Sequence, residues 1–494
     1  MLTSTPTSNS GEFVQELSRR RRLLVLAVCC SSLFIVGLDS TIVNVALPAI
    51  QHGLHAPVSG LQWTVDAYTL VVASFLMLAG STGDRVGRRR TFQVGLATFT
   101  VGSALCSLAP SLGWLVAFRM VQAIGGSMLN PVAMSIIANT FTDAAERARA
   151  IGIWGAVFGV SMALGPVIGG ALVATVGWRG IFWVNIPVGI AAIVLTALVV
   201  PESRAARARR LDPMGQILII VMLASLTYAI IEGPRLGWGS TAILSLFAVS
   251  AAAAAGLALY EPRREEPLLD LRFFRSAPFT GAVVIAICAF SALGGFLFLN
   301  TLYLQDVRQL SALHAGLYTL PLAVMTVILA PVAGRITGHR GPRVPLAVAG
   351  VMTTAGALLL AGVTASTGAL WLLLAYVAFG AGNGLVNPPI TNAAVSGMPR
   401  SQAGVAAAVA STSRQVGGSL GVALAGSAVT SALHGPLRTG FVEASHVGWL
   451  IIAGCGVLVL LTGLVTTGRW ARGTAARTAG QLMSDEPRVP VGTP

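Results

Sequence analysis

The sequence predicts an all-α integral membrane protein of fourteen transmembrane helices, arranged as two six-helix bundles plus two inserted helices. Three observations carry this. Of 494 residues, 54% are hydrophobic and only 10% charged, whereas a soluble domain carries about 25% charged residues. Fourteen stretches are apolar over a length that can cross a bilayer, for which about 20 residues suffice. The second half of the chain also repeats landmarks of the first, offset by about 250 residues.

The spans fall at 23–47, 60–80, 91–109, 112–137, 149–175, 180–200, 214–233, 240–260, 279–304, 314–334, 344–363, 368–395, 403–432 and 446–467. In lipid each must be a helix, because only helices and closed barrels satisfy every backbone group there. Barrel strands would alternate polar and apolar residues over segments of about 10, and these runs do not. The basic cluster Arg19–Arg22 precedes an apolar stretch too long for a signal peptide. Six units follow: a tail at 1–21, a bundle at 22–203, the inserted pair at 211–262, a loop at 263–278, a second bundle at 279–467 and a tail at 468–494.

The basic residues are 32 arginines and no lysine, against 18 acids, for a net charge of +14. An even number of spans puts both ends on one side. The tails and the loops around 81–90, 139–149, 201–212, 261–278, 335–343 and 396–402 then hold 26 arginines. The opposite loops hold four, at 179, 235, 308 and 438. Positive charge gathers on the cytoplasmic face, so both termini are expected in the cytoplasm of a bacterium, with the chain in its cytoplasmic membrane. The surplus of arginine is topology and requires no nucleic acid. Absent lysine beside abundant alanine and glycine points to a genome rich in G and C.

The internal repeat rests on three pairs in the same order. Asn130-Pro131 answers to Asn387-Pro388, Gly165-Pro166…Gly169 to Gly417-Gly418…Gly421, and Gly80…Gly87-Arg88 to Gly334…Gly341-Pro342-Arg343. Parallel repeats about an axis normal to the membrane are a transporter architecture, with the substrate site near mid-membrane between the halves.

Ionisable groups inside spans are costly and mark function. Asp39 lies within the first span, where burial penalises the charged carboxylate, as a proton carrier requires. Its competing reading is a structural acid capped by Ser40 or Asn44. Asp66 follows Trp63 by three residues and precedes Tyr68, so a carboxylate and an indole share a helix face. That pairing suits a lipophilic cation, and equally an interfacial aromatic beside a solvated acid. Arg119, three residues before Gln122, keeps its charge in the membrane and needs a partner, for which Asp39 is the candidate. Arg414, near Ser411 and Ser413, reads as a gate or as a structural lock. The loop with Gly80, Asp84, Arg85, Gly87 and Arg88 can pair with helix ends and lock one conformation. Gly159, Gly165, Pro166, Gly169 and Gly170 give the fifth span a small-residue face and a kink. Glu232 and Asp306, near outer ends, are expected to be solvated.

Five cysteines lie in apolar runs without metal spacing, and no histidine lies mid-span. An intramembrane enzyme would need paired acids, a catalytic triad or metal ligands there. A receptor or scaffold would need long loops or soluble domains, and the longest internal loop is under about 20 residues. Without lysine the chain has no GxxxxGK[ST] phosphate loop, which removes an ATP-driven pump within this chain.

Taken together, residues 38–48 (Leu-Asp-Ser-Thr…Asn-Val-Ala-Leu-Pro), the 80–90 loop, Arg119 with Gln122, Gly159–Gly170 and 178–187 resemble the major facilitator superfamily. Within it they are similar to the fourteen-helix drug:proton antiporters of the EmrB/QacA type. Departures are Ala123 for a usual glycine, Gly180 for a usual aromatic, and Gly338 where the first half carries Asp84. The resemblance implies a secondary transporter with the major facilitator fold, which exports drugs or toxic lipophilic cations against protons. Asp39 and Arg119 would couple protons, with Asp66, Trp63, Tyr68, Gln122 and Asn44 binding substrate. The alternative is transport of one specific metabolite, siderophore or self-made antibiotic. Expected partners are small-molecule substrates, protons and the lipid bilayer; no cofactor and no metal are expected, and the chain is expected to act as a monomer.

Overall fold

A computed structural model describes residues 18–204, 212–264, 267, 268, 270–396, 398, 399 and 402–484. The described chain is helical. In the first half, α1 (Arg19–Leu54), α2 (Val58–Val86), α3 (Arg88–Ser107), α4 (Leu112–Thr140) and α5 (Ala144–Val176) are followed by the short α6 (Gly180–Trp183) and α7 (Asn185–Val199). Two helices intervene, α8 (Pro213–Leu236) and α9 (Thr241–Tyr260). The second half holds α10 (Ala277–Leu302), α11 (Ala312–Tyr318), α12 (Leu320–Arg340), α13 (Arg343–Ala361), α14 (Ala369–Val395), α15 (Ala403–Ala432) and α16 (Leu437–Thr466). A last helix, α17 (Arg469–Ser484), lies within the segment expected to be a tail. It is anchored by Thr474 Oγ1, which accepts from the Ala277 amide at 2.9 Å, and by the buried Leu482.

Sequence polarity sets a limit on the count of spans. Twelve helices among the described residues are long and apolar enough to cross a membrane, not fourteen. The two expected spans that fall short, 91–109 and 403–432, are the helices α3 and α15. Their composition is the reason: α3 opens on Arg88-Arg89-Arg90 and carries buried Thr100, Ser103 and Ser107, while α15 is rich in Gly and Ser, with Ser413, Ser419 and Ser427 buried. The expected sixth and tenth spans are each broken, into α6 with α7 and α11 with α12.

The repeat legible in the sequence is also a repeat of packing. In the first half α1 packs on α5, α4 and α7, α3 on α4 and α7, and α2 on α4. In the second, α10 packs on α15, α14 and α16, α13 on α14 and α16, and α12 on α14. The halves meet reciprocally, through α2 against α15 and α5 against α11 and α12. That exchange is what a pseudo-two-fold axis between parallel repeats generates.

The two ends of the molecule differ. One buried apolar cluster runs across both halves, from Leu38, Ile42 and Ala46 on α1 to Leu293 and Phe296 on α10 and Trp449 on α16. Towards the arginine-rich end the cores separate: Val25, Phe92 and Ile136 belong to one, Phe279, Leu346 and Ile390 to another. Gly152, Gly155, Gly334 and Gly338 there have no atom within 4 Å of where a Cβ would stand. The apolar cores of the halves are thus continuous at the arginine-poor end and separate at the other.

Polar latches accompany the joined end. Gln62 Nε2 on α2 donates to the Ala423 carbonyl of α15 at 3.0 Å, and Gln305 Nε2 donates to the Val45 carbonyl of α1 at 2.8 Å. Gln62→Ala is expected to cost about 1 kcal/mol of closure and raise thiol labelling of a cysteine placed at Ala423, in a cysteine-free background, about fivefold. An unchanged labelling rate would contradict the latch.

Candidate functional site

The costliest groups of the first half converge in its interior. Asp39 on α1 is 0% exposed and Arg119 on α4 is 1% exposed. Arg119 Nη1 meets Asp39 Oδ2 at 2.6 Å and also donates to Gln122 Oε1 at 2.7 Å. Its Nε donates to the Thr64 carbonyl of α2 at 3.2 Å, and its guanidinium stands 4.3 Å from the centre of the Tyr68 ring. Gln122 Nε2 donates to Asp39 Oδ1 at 2.9 Å, and Asn185 Nδ2 donates to the same oxygen at 3.2 Å. Asn185 Nδ2 also reaches Ser103 Oγ at 3.1 Å, while that hydroxyl donates to the Phe182 carbonyl at 2.9 Å.

A buried ion pair persists only when its remaining hydrogen-bonding capacity is met. Here five helices contribute, with α1 supplying the acid, α4 the arginine and one amide, α2 a carbonyl and a ring, α3 a hydroxyl and α7 the second amide. The close approach of α3 and α4 depends on Gly102, whose Cβ would stand 2.5 Å from Gln122 Cα. Gly165 does the same for α5 against α1, since a Cβ there would lie 1.9 Å from Thr41 Oγ1. Chemically, a proton arriving at Asp39 removes the partner charge of Arg119 and leaves a lone cation within the bundle. The cluster therefore ties one buried ion pair to five helices.

Other expected residues are distributed differently. Asn44 donates to the Ser40 carbonyl at 3.3 Å, and Ser40 Oγ to the Val36 carbonyl at 2.8 Å, so neither caps Asp39. Asp66 is 0% exposed, which removes the reading as a solvated acid. Its carboxylate lies beside the Ser419 hydroxyl of α15, and apart from that hydroxyl neither oxygen has a hydrogen-bond partner among the described residues. Trp63 does not accompany it: the indole Nε1 donates to Glu232 Oε1 on α8 at 3.1 Å. Glu232, expected to be solvated, is 7% exposed. Docking of the inserted helix α8 on α2 is the physical reason. Asp306 is half-buried and lines a cavity of about 530 Å³ with His52, His55 and Arg438 at the arginine-poor end.

The 80–90 loop binds within its own half. Arg88 Nη2 pairs with Asp84 Oδ1 at 2.8 Å, and Glu202 Oε1 accepts the Arg89 amide at 3.1 Å. Gly87 has φ +125°, a conformation that favours glycine, and a Cβ there would meet Glu202 at 2.6 Å. Arg85 is exposed, and Gly80 lies against Pro131. On α5, Gly169 packs on Ile42, whereas a Cβ at Gly159 would just reach Val327, at 4.0 Å. Gly170 faces the Ala312 carbonyl across the halves, and the Pro166 carbonyl faces Gly316. Arg414 donates to Ser411 Oγ at 3.1 Å and to Thr391 Oγ1 at 2.6 Å, and no carboxylate is paired with it among the described residues.

Reasoning from sequence missed Asn185 and Ser103. Asn185 stands inside the 178–187 stretch and its amide opens α7, but a neutral side chain at a span end carries no charge signal.

Two parallel helical bundles that meet at one end, with a buried ion pair inside the first, are the architecture of a membrane transporter. The sequence matches the Major Facilitator Superfamily model over residues 29–422, and the chain belongs to that family. It is 38% identical over 419 residues to the multidrug resistance protein Stp of Mycobacterium tuberculosis, covering 85% of this chain and 78% of the relative. It is 40% identical over 406 residues to the tetracenomycin C resistance and export protein of Streptomyces glaucescens, covering 82% and 74%. Identity to the methylenomycin A resistance protein of Streptomyces coelicolor is 35% over 389 residues, covering 79% and 82%. The fold is similar to that of a solved bacterial homologue of the human lysosomal transporter Spinster in an inward-facing and occupied conformation. That likeness has a TM-score of 0.65 at 18% identity, covering 94% of this chain and 98% of that one.

Proposed function

We propose that this chain exports drugs or toxic lipophilic compounds, chiefly cations, across the bacterial cytoplasmic membrane in exchange for protons. The observation that carries it is the Asp39–Arg119 pair at 2.6 Å, held by Gln122 and Asn185 inside the first half. Relatives named for multidrug resistance and antibiotic export support the substrate class. In this reading α3 and α15 also cross the bilayer, their polar faces turned to other helices, giving the fourteen crossings of the EmrB/QacA type. Both termini lie in the cytoplasm, as the distribution of arginine favours. The end where the cores separate is then the inward opening.

In the cycle, Asp39 takes a proton from outside after substrate leaves, which frees Arg119. Return to the inward-open form releases the proton and restores the pair. Asp66 offers to a cationic substrate a buried carboxylate that no cation pairs with among the described residues. Cells that express the chain are expected to tolerate several lipophilic cationic drugs, and Asp39→Asn is expected to return tolerance to the level of cells without it. Undiminished tolerance in that variant would contradict coupling through Asp39. The relatives from Streptomyces favour a second reading, export of one antibiotic; protection against a single compound in the same panel would select it.

A further inference from the structure

The inserted helix carries chemistry that packing alone does not require. Near the end of α8, Glu232 holds a carboxylate 9% exposed at its side chain. One oxygen accepts from Trp63 Nε1 at 3.1 Å, and the other meets Arg235 Nε at 2.6 Å. The Trp63 and Tyr228 rings lie 5.6 Å apart at 51°, and Tyr228 is 40% exposed. The Trp238 ring rests against Gly233, next to Glu232 in the chain, and is 45% exposed. Of these rings Trp63 touches the carboxylate, Tyr228 packs beside Trp63, and Trp238 lies against the neighbouring Gly233.

An acid beside a cluster of aromatic rings is the chemistry that holds quaternary and lipophilic cations, through charge and through attraction to ring faces. The element already at that carboxylate is itself a cation. Arg235 is 63% exposed at its side chain and sits three residues along the same helix, so it is a local plug that can swing away. A purely structural tether between α2 and α8 is complete with the bond from Trp63 to Glu232 and has no use for Arg235 or for exposed Tyr228.

The geometry points to a peripheral binding site for a lipophilic cation at the α2–α8 junction. It is formed by Glu232, Trp63, Tyr228 and Trp238, and Arg235 occupies it when no ligand is bound. The site deepens the drug-export reading and rests on it for the choice of ligand. It lies at the arginine-poor end, where that reading puts the outer leaflet. A cation leaving the transporter would meet it at the edge of the bilayer.

Binding of radiolabelled tetraphenylphosphonium to the purified full-length protein tests this. Arg235→Gln removes the competing cation and is expected to tighten binding about threefold. Glu232→Gln keeps an acceptor for Trp63 but loses the charge, and is expected to weaken binding at least about tenfold. Equal affinity in wild type and both variants, or no binding by the wild type, would overturn the proposal. Thermal stability of each variant is read in parallel, and because Arg235→Gln predicts a gain, misfolding cannot imitate it. Proton-driven efflux is measured separately on Asp39→Asn. Its outcome bears on the export mechanism and leaves the Glu232 result standing by itself.

Discussion

Arg119→Met is expected to abolish proton-coupled export and to lower thermal stability sharply. Arg119 is 1% exposed and Asp39 is 0% exposed, so removal of the guanidinium leaves a carboxylate in low dielectric with only two amide donors. Breaking a buried pair from one side costs about 3–5 kcal/mol. The protein can reduce that cost by protonating Asp39 permanently, which ends its service as a switch. Combining Asp39→Asn with Arg119→Met removes both charges, so stability should recover while coupling stays lost. Thermal unfolding in detergent and efflux from energised vesicles read the two effects. Wild-type coupling in Arg119→Met would show that the pair is ornamental.

Gly170→Val should stop the joined end from closing. A Cβ at Gly170 would stand 2.5 Å from the Ala312 carbonyl oxygen and 2.7 Å from Leu313 Cα. Both are backbone atoms, so relief requires α5 and α11 to part. A Cβ added at Gly316 would make the reciprocal clash, with the Pro166 carbonyl oxygen. Because the separate cores of the two halves are untouched, the variant should fold and fail in transport, with export lowered by more than about tenfold. Spin labels at Thr175 and Ser311 should report a longer distance than in the wild type. Gly454→Val on α16 is the control, since nothing lies within 4 Å of where its Cβ would stand. An unchanged distance with normal export would contradict the steric argument.

Much of this was legible in the sequence, for an identifiable physical reason. Charge within apolar runs is so costly that Asp39 and Arg119 had few partners other than each other. Helix geometry then supplied Gln122, one turn from Arg119. Neutral groups gave no such signal. Asn185 and Ser103 matter because α7 and α3 meet beside Asp39, and that meeting is tertiary. The pairing of Trp63 with Asp66 followed correct spacing on one helix but overlooked Glu232, 169 residues away on the inserted helix. The count of apolar spans ran high for a related reason. The polar residues of α3 and α15 are buried between helices, where an average over one helix sees only their polarity.

The proposed switch is of use only if a gradient can drive it. A potential of 100 mV supplies about 2.3 kcal/mol per net charge moved, enough for one proton to support a roughly 50-fold gradient of a neutral substrate, whereas one-for-one exchange with a monovalent cation moves no net charge and is driven by the pH difference. The most direct measurement is made in proteoliposomes, with efflux against a concentration gradient and exchange at equilibrium compared for wild type and Asp39→Asn. The proposed mechanism predicts that the variant keeps equilibrium exchange and loses all response to an imposed pH gradient. Uphill export by Asp39→Asn at the wild-type rate would contradict it.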